Sequence, residues 1–362
     1  MINIECYKQI HDIPLDRDSW NALVAQNQVS TPFQTFEWFH SWWDSFGDQY
    51  ELFFLVARQE DTILAFAPLM LATEAYNRRV VRFTGDQNAD YCDFVIRGNR
   101  LQIIECFFDF LYSRQATWTR MTLLNIPAYS STRACIETIA AAHRYHVQIK
   151  SPVSSPALVI RHHLDYATSC ANKYSMSRHL KKLEKEGSVS LVNYYSKPDI
   201  DRYLDNFFDQ HIKRYGSKGI VSQFNEPSHQ HYFRKLVEQF DDTGWLVFSV
   251  LKFNELPIAY HFGFRYDNKL IWYKPSFNID YAGYSPGSIM LKKLIEYAIN
   301  SSCDELDFSV GDEAFKSRFS NQVRQNNNIS IYRHRITLDF YLLRQLAGKI
   351  INFMKTRMGS KR

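Results

Sequence analysis

One pattern of short strands occurs twice in this chain. Residues 52–58, 62–71 and 79–84 are runs of β-forming residues parted by polar breaks at Gln59-Glu60-Asp61 and Asn77-Arg78. Such runs predict a three-stranded antiparallel meander. Residues 245–251, 256–266 and 269–276 repeat the arrangement, with breaks at Phe253-Asn254-Glu255 and Asp267-Asn268. An offset of 194 residues carries Leu52 onto Leu246, Ala65 onto Ala259 and the first hairpin turn onto the second. Unrelated meanders also look alike, so the weight falls on the elements downstream of each copy. After the first come helical stretches at 101–114 and 132–145 with a strand near 121–124; after the second come a helix from Ser288 and a strand at 305–310.

Length agrees with duplication, since 362 residues suit two domains of roughly 150 to 180 residues better than one core. The predicted class is α/β (α+β), with a mixed, largely antiparallel sheet flanked by helices in each domain. Residues 151–156, rich in Pro and Ser, mark the expected joint, giving domains at 1–155 and 156–335 and a basic tail at 336–362. Hydrophobic residues at 45% and charged residues at 22% exclude a disordered chain. The longest apolar stretch, 63–72, is interrupted by Pro68 and is far short of the roughly 20 residues a membrane-spanning helix needs. Asn3, Glu5 and Lys8 break up the start of the chain, so no secretory signal is read there and a soluble, cytoplasmic protein is expected. Six scattered cysteines without a CxxC pair indicate neither a disulfide framework nor a metal site. Of the net charge of +5, residues 333–362 alone carry +7, which leaves the body near −2 and argues against a nucleic-acid surface spread over it.

The sharpest local signal is Tyr284-Ser285-Pro286-Gly287-Ser288, between the last strand of the second meander and a helix with Leu291, Leu294, Ile295 and Ala298 on one face. Ser285 suits the N-cap and Pro286 the first helical position. With no side chain at Gly287, free backbone N–H groups and the positive helix end can face a pyrophosphate, the requirement for holding coenzyme A. An ordinary capped helix would read the same way in isolation.

Residues 280–287, DYAGYSPG, with Leu306-Asp307-Phe308, Gly311 and Phe315-Lys316-Ser317-Arg318-Phe319, resemble the signature of cellulose-biosynthesis-type acetyltransferases in the GNAT superfamily. Pro32-Phe33-Gln34-Thr35, Glu37-Trp38, Trp42-Trp43, Pro68-Leu69, Gly85, Asp90-Tyr91 and Asp93-Phe94 are similar to that family's opening pattern, so the resemblance spans about 30–320. It implies two tandem GNAT-like domains, an acyl-CoA donor, acetyl-CoA above all, and a polysaccharide, sugar or other envelope-related acceptor. Ser177-Arg178-His179-Leu180-Lys181-Lys182 and Phe315-Lys316 are also similar, more distantly, to motifs of the Fem peptidoglycan aminoacyl-transferases, which take aminoacyl-tRNA.

Lys316, in a turn after Gly311-Asp312-Glu313, is a candidate to neutralise phosphate or the oxyanion of an attacked thioester. Asp307 either orients a donor or caps a turn. His211 and Arg214 share a helix face, and His211 competes with His261, on the central strand of the second meander, for the role of general base. Tyr284, Ser285, Pro286, Gly287 and Ser288 form the expected donor turn. Arg178 is chosen from a cationic helix face for a phosphate or acidic-sugar contact, and Tyr281, Arg214, Asp90, Tyr91 and Asp93 for the acceptor; the last three equally suit turn formation.

The second domain is thus expected to bind acyl-CoA, and the first, a degenerate copy, to shape the acceptor cleft. N- or O-acyl transfer is the leading function. The alternatives are Fem-like transfer from aminoacyl-tRNA in cell-wall synthesis, the one case that brings in a nucleic acid, and a non-catalytic GNAT-fold binding module. The tail has Leu343, Leu346, Ile350 and Met354 at helical spacing among basic residues, which suits either docking on the second domain or peripheral contact with anionic lipid at the inner membrane face.

Overall fold

The computed structural model describes residues 1–332, Arg144 excepted. The amphipathic tail lies outside the described residues.

The first half runs β1 (Ile2–Tyr7), α1 (Arg17–Gln26), α2 (Phe36–Phe46), β2 (Glu51–Leu52), β3 (Phe54–Gln59), β4 (Thr62–Ala67), β5 (Leu69–Glu74), β6 (Arg78–Phe83), β7 (Val95–Ile96), α3 (Arg100–Ser113), β8 (Arg120–Pro127), α4 (Thr132–His143) and β9 (His146–Val159). Two helices come next, α5 (Leu164–Ala171) and α6 (Tyr174–Glu184). The order then recurs as β10 (Val189–Tyr194), α7 (Lys197–Gly216), α8 (Pro227–Gln239), β11 (Leu246–Phe253), β12 (Leu256–Tyr266), β13 (Lys269–Phe277), α9 (Pro286–Asn300), β14 (Glu305–Asp307), α10 (Ala314–Phe319) and β15 (Gln322–Tyr332). Strand, two helices, meander, helix, strand, helix and long strand therefore occur twice.

Proline sets the bend of the first meander. Pro68 has no N–H for a ladder, and the strand expected over 62–71 divides there into β4 and β5. β4 joins β1, β3 and β7 in a four-stranded sheet, whereas β5 enters a sheet of order β2-β5-β6-β8-β15-β9-β14-β13-β12-β11-β10. Its parallel contacts are β6 with β8 and β13 with β14. The halves exchange their last strands: β9 pairs with β14 of the second half, and β15 pairs with β8 of the first. Residues 151–156 are consequently strand backbone inside β9, not a joint. Pro156 takes part through its carbonyl, which accepts from Phe308 N at 3.0 Å, so its missing N–H does not end the strand.

The core is shared as well. In α2 the Thr35 hydroxyl caps Trp38 N at 3.4 Å, and Trp38, Phe39, Trp42 and Phe46 are buried. Trp38 stands edge-on to Tyr232 of α8 and Tyr273 of β13, at centroid distances of 5.6 and 5.7 Å. The largest hydrophobic cluster accordingly runs from Phe33 to Ile331 across both halves, where two separate cores had been expected. The abundant aromatics fill the space between the repeats. A second cluster packs α9 through Ile289, Leu291, Leu294, Ile295 and Ala298 against Leu158, Met176, Leu306 and Phe308. Among the described residues no helix is long and apolar enough to cross a membrane.

Candidate active site

A wedge opens in the second half where two parallel strands part. β13 meets β14 only through Lys269, Leu270 and Ile271 opposite Glu305, Leu306 and Asp307. β14 ends there because the Asp307 carboxylate accepts Ser309 N at 2.8 Å while Ser309 takes a left-handed φ of 59°. Phe308 N and Gly311 N then bond to Pro156 O and Ser154 O, drawing the chain to β9 and away from β13. The outer half of β13, from Trp272 to Phe277, is left without a strand partner on that side.

Three cavities line up along this wedge. The middle one, about 420 Å³, has apolar walls from Met176, Trp272, Met290, Leu291, Phe315 and Phe319, with Ser285, Gly287 and Ser288 at one side. Ser285 occupies the N-cap of α9 with φ 55° and ψ 55°, but its hydroxyl makes no capping bond. The turn is closed instead by Ser285 N to Ala282 O and by Ser288 N and Ile289 N to Ser285 O. A Cβ at Gly287 would meet Phe277 only at 3.5 Å, so a glycine is not demanded by local packing; its value is backbone presented directly to the cavity. On one flank lies a vestibule of about 560 Å³ lined by Tyr174, Arg178, Lys181, Lys182 and Lys185, sharing His179 with the middle cavity. Arg178 and Lys182 hold the His179 imidazole below its usual range, after the larger effect of burial.

On the other flank is a polar chamber of about 440 Å³ that includes Asp90, His211, Lys274, Glu313 and Lys316. Arg214, Trp272, Pro275 and Phe315 belong to both this chamber and the apolar cavity, forming the partition between them. His211 sits at 4% exposure, its Nδ1 2.8 Å from Ser222 Oγ and its ring stacked on Tyr215 at 4.2 Å. Burial first, then Lys274 and Arg214, push its pKa down to about 3, so the ring is neutral at pH 7. Burial raises the Asp90 carboxyl although Lys274 and Lys316 oppose it, and burial lowers Lys274. Lys316 Nζ donates to Val310 O at 2.8 Å and pairs with Glu313 at 2.9 Å.

The sequence candidates divide sharply on this geometry. Lys316, His211, Arg214 and Asp90 meet in the chamber, Ser285, Gly287 and Ser288 line the apolar cavity, and Arg178 lines the vestibule. His261 lines none of the three: it is buried behind Trp272, 4.8 Å away and stacked, with Nε2 accepting Tyr273 N at 3.3 Å. Burial lowers its pKa to about 3. Asp307 is walled off in the same way, accepting Tyr91 Oη at 2.8 Å on each oxygen. It ties the first half to β14 and so presents Asp90, the neighbour of Tyr91. Asp93 is spent in the first half on Arg100, Ser130 and Thr132. Tyr281 packs on Phe253, and Tyr284 donates to Glu186 at 2.5 Å with Lys182 over its ring. Pro286 is buried as the first residue of α9.

Lys274 and Trp272 escaped the sequence reading, while Phe315 and Glu313 entered it only as neighbours of Lys316. Lys274 did leave a trace, as a lone charge in the otherwise uncharged run 270–277 of a strand whose flanks are buried.

Residues 171–317 match the family model described as an acetyltransferase (GNAT) domain, a span that holds the turn before α9 and almost every cavity wall named above. The fold of the whole chain is similar to that of FemX, at 10% identity and TM-score 0.66, covering 91% of this chain and 98% of that one. It is similar, too, to a protein of unknown function from Bacteroides thetaiotaomicron, at 11% identity and TM-score 0.60, covering 91% and 100%. L-PGS from Bacillus licheniformis shares it at 12% identity and TM-score 0.51, covering 86% and 96%. No curated relative matches the chain in sequence. Residues 171–317 thus match a GNAT acetyltransferase domain, which makes the chain an acyltransferase, and the order of elements around it occurs twice along the chain.

Proposed function

We propose that the chain transfers an acyl group from acyl-CoA to an envelope-related small-molecule or glycan acceptor held in the polar chamber. The observation that carries this is the parting of β13 from β14, which leaves an apolar cavity running from the turn at Ser285–Ser288 to a chamber of titratable groups. The cationic vestibule suits the donor's phosphates, the apolar cavity its pantetheine arm, and the partition at Trp272 and Phe315 the thioester.

In this reading the acceptor's nucleophilic atom attacks the thioester carbonyl carbon, the new bond forms, and the carbon–sulfur bond breaks. Asp90 takes the proton, since a carboxylate raised above its usual range is a better base than an imidazole held near 3. Asp90 then returns that proton to the leaving thiolate. His211 has a different part. In this reading the Ser222 hydroxyl, whose oxygen also accepts Phe224 N at 3.1 Å, gives its proton to His211 Nδ1 at 2.8 Å, which places the N–H on Nε2. A neutral imidazole N–H of this kind stabilises the oxyanion.

Isothermal titration with coenzyme A and acetyl-CoA, comparing the native chain with Gly287→Trp, tests the donor site. Micromolar binding that the substitution abolishes is expected. Absence of binding by the native chain removes the acyl-CoA reading. The rival is transfer from aminoacyl-tRNA, favoured by the likeness to FemX over the whole chain and by the basic vestibule. RNase-sensitive transfer activity would select it.

A further inference from the structure

Arg214 reaches the partition between the two inner cavities from the last turn of α7. Its Nη1 donates to Pro275 O at 3.0 Å and its guanidinium lies 4.5 Å from the Phe277 ring centre. Its Nε is buried without a partner, and no carboxylate lies within 4.0 Å of it among the described residues. Several other partly buried arginines meet carboxylates, Arg82 with Asp86, Arg100 with Asp93, Arg120 with Glu74 and Arg324 with Glu305, while Arg97 and Arg265 bond to backbone carbonyls away from these cavities. Taking a cation out of water without an anion is costly.

Lys274 stands beside it on β13 and, among the described residues, is likewise without an ion pair inside 4.0 Å, its Nζ lying over the Tyr273 ring at 4.7 Å. Lys316 is already matched by Glu313. Arg214, Lys274 and Lys316, with the exposed Lys218, line one chamber against two carboxylates, Asp90 and Glu313, so positive charge is in excess there. The donor's phosphates do not account for it, because the vestibule with its own four cations lies beyond the apolar cavity, on the far side of the partition.

We infer that the acceptor carries a carboxylate or phosphate group, seated between the Arg214 fork and the Lys274 ammonium. The inference rests on the acyl-transfer reading for what is done to that acceptor, but not for the anion site itself. A guanidinium fork matches either group with two parallel hydrogen bonds. Anchored there, the acceptor would present its nucleophile toward Asp90 while the anion holds it against the partition.

The test is calorimetric titration of the full chain, saturated with coenzyme A so that the vestibule is filled, with malonate and separately with inorganic phosphate. Arg214→Met and Lys274→Met are titrated alongside, with melting temperatures confirming that each variant is folded. At least one anion should bind the native chain, and each substitution should weaken it by roughly tenfold or more, the loss of one charge-assisted contact. Binding of malonate alone assigns a carboxylate acceptor, and of phosphate alone a phosphate ester. The inference falls if neither anion binds the native chain, or if both variants bind as well as it does. Should coenzyme A itself fail to bind, the donor reading falls on its own, and the same titrations on the empty protein still decide the anion site.

Discussion

Replacing Asp307 by asparagine separates a residue that positions the site from one that reacts in it. The carboxyl is 4% exposed and its pKa stands at about 6, raised first by burial and next by Glu305, while the bonds from Ser309 N and Tyr91 Oη and the charge of Arg324 pull the other way. Relative to an ordinary value of about 3.9, the ionised form is disfavoured in the folded state by ~3 kcal/mol. The folded pKa is the higher one, so the folded chain binds more protons between the two values, and stability falls as pH rises from about 4 to about 6. The Asp307→Asn amide carries no such charge, and its oxygen can accept Ser309 N and Tyr91 Oη where Oδ1 does now. Urea unfolding of both proteins from pH 4.5 to 7.5 should show the variant gaining on the native chain with rising pH, toward that ~3 kcal/mol. Asp86, also raised to about 6, contributes equally to both curves and cancels. A flat difference, or a native chain that gains with pH, would refute the reasoning by showing that the hydrogen bonds outweigh burial.

Asp90→Asn should lower the transfer rate by roughly a hundredfold or more, the usual worth of a positioned base, with the variant folded. In the native chain the acid limb of the pH–rate profile should lie above the ordinary carboxylate range, and a limb at or below about 4 would exclude Asp90 as the base. Trp38→Ala empties a site in contact with Phe33, Tyr232, Phe264 and Tyr273, and should cost about 3–5 kcal/mol in urea unfolding. The loss should appear in one transition for the described halves together, since that cluster belongs to both; two separated transitions would contradict a shared core.

The duplication was legible because a meander repeats turn residues at fixed offsets, and the same punctuation located the turn before α9. The exchange of β9 and β15 was not. Strand pairing over more than 150 residues leaves no periodic trace, and Pro156 reads as a breaker unless its carbonyl's partner, Phe308 N, is known. Histidines were ambiguous for a related reason. His211 stands among the polar residues Asp209, Gln210 and Lys213 and His261 in an apolar strand, and neither setting says which ring reaches a cavity; the position of Trp272, which covers one and borders the chamber of the other, tells them apart. Asp307 suits either orienting a donor or capping a turn in sequence, and its burial is what removes it from the cavities.

Two copies of one unit need not give two sites, and the fate of the first wedge shows why. β6 and β8 run parallel through Val80, Val81 and Arg82 only, the counterpart of the short contact between β13 and β14. In the first half, however, the chain after β6 folds back into the gap. Gly85 holds φ at 73° with Trp42 at 3.2 Å from where its Cβ would be, Trp42 Nε1 donates to Asn88 Oδ1 at 3.0 Å, and Asn125 Nδ2 donates to Ala89 O at 2.9 Å. Cys92 N then bonds to Asn125 O at 3.0 Å and Phe94 packs on Phe83 and Phe107, so the space is filled by protein. The same loop carries Asp90 and Tyr91 across to the second wedge. One repeat has thus given up its own cavity and supplies side chains to the other. Titration should therefore find one coenzyme A per chain; two equivalent sites would mean that the loop at 85–94 yields its place to ligand, and with it the fixed position of Asp90 on which the proposed chemistry depends.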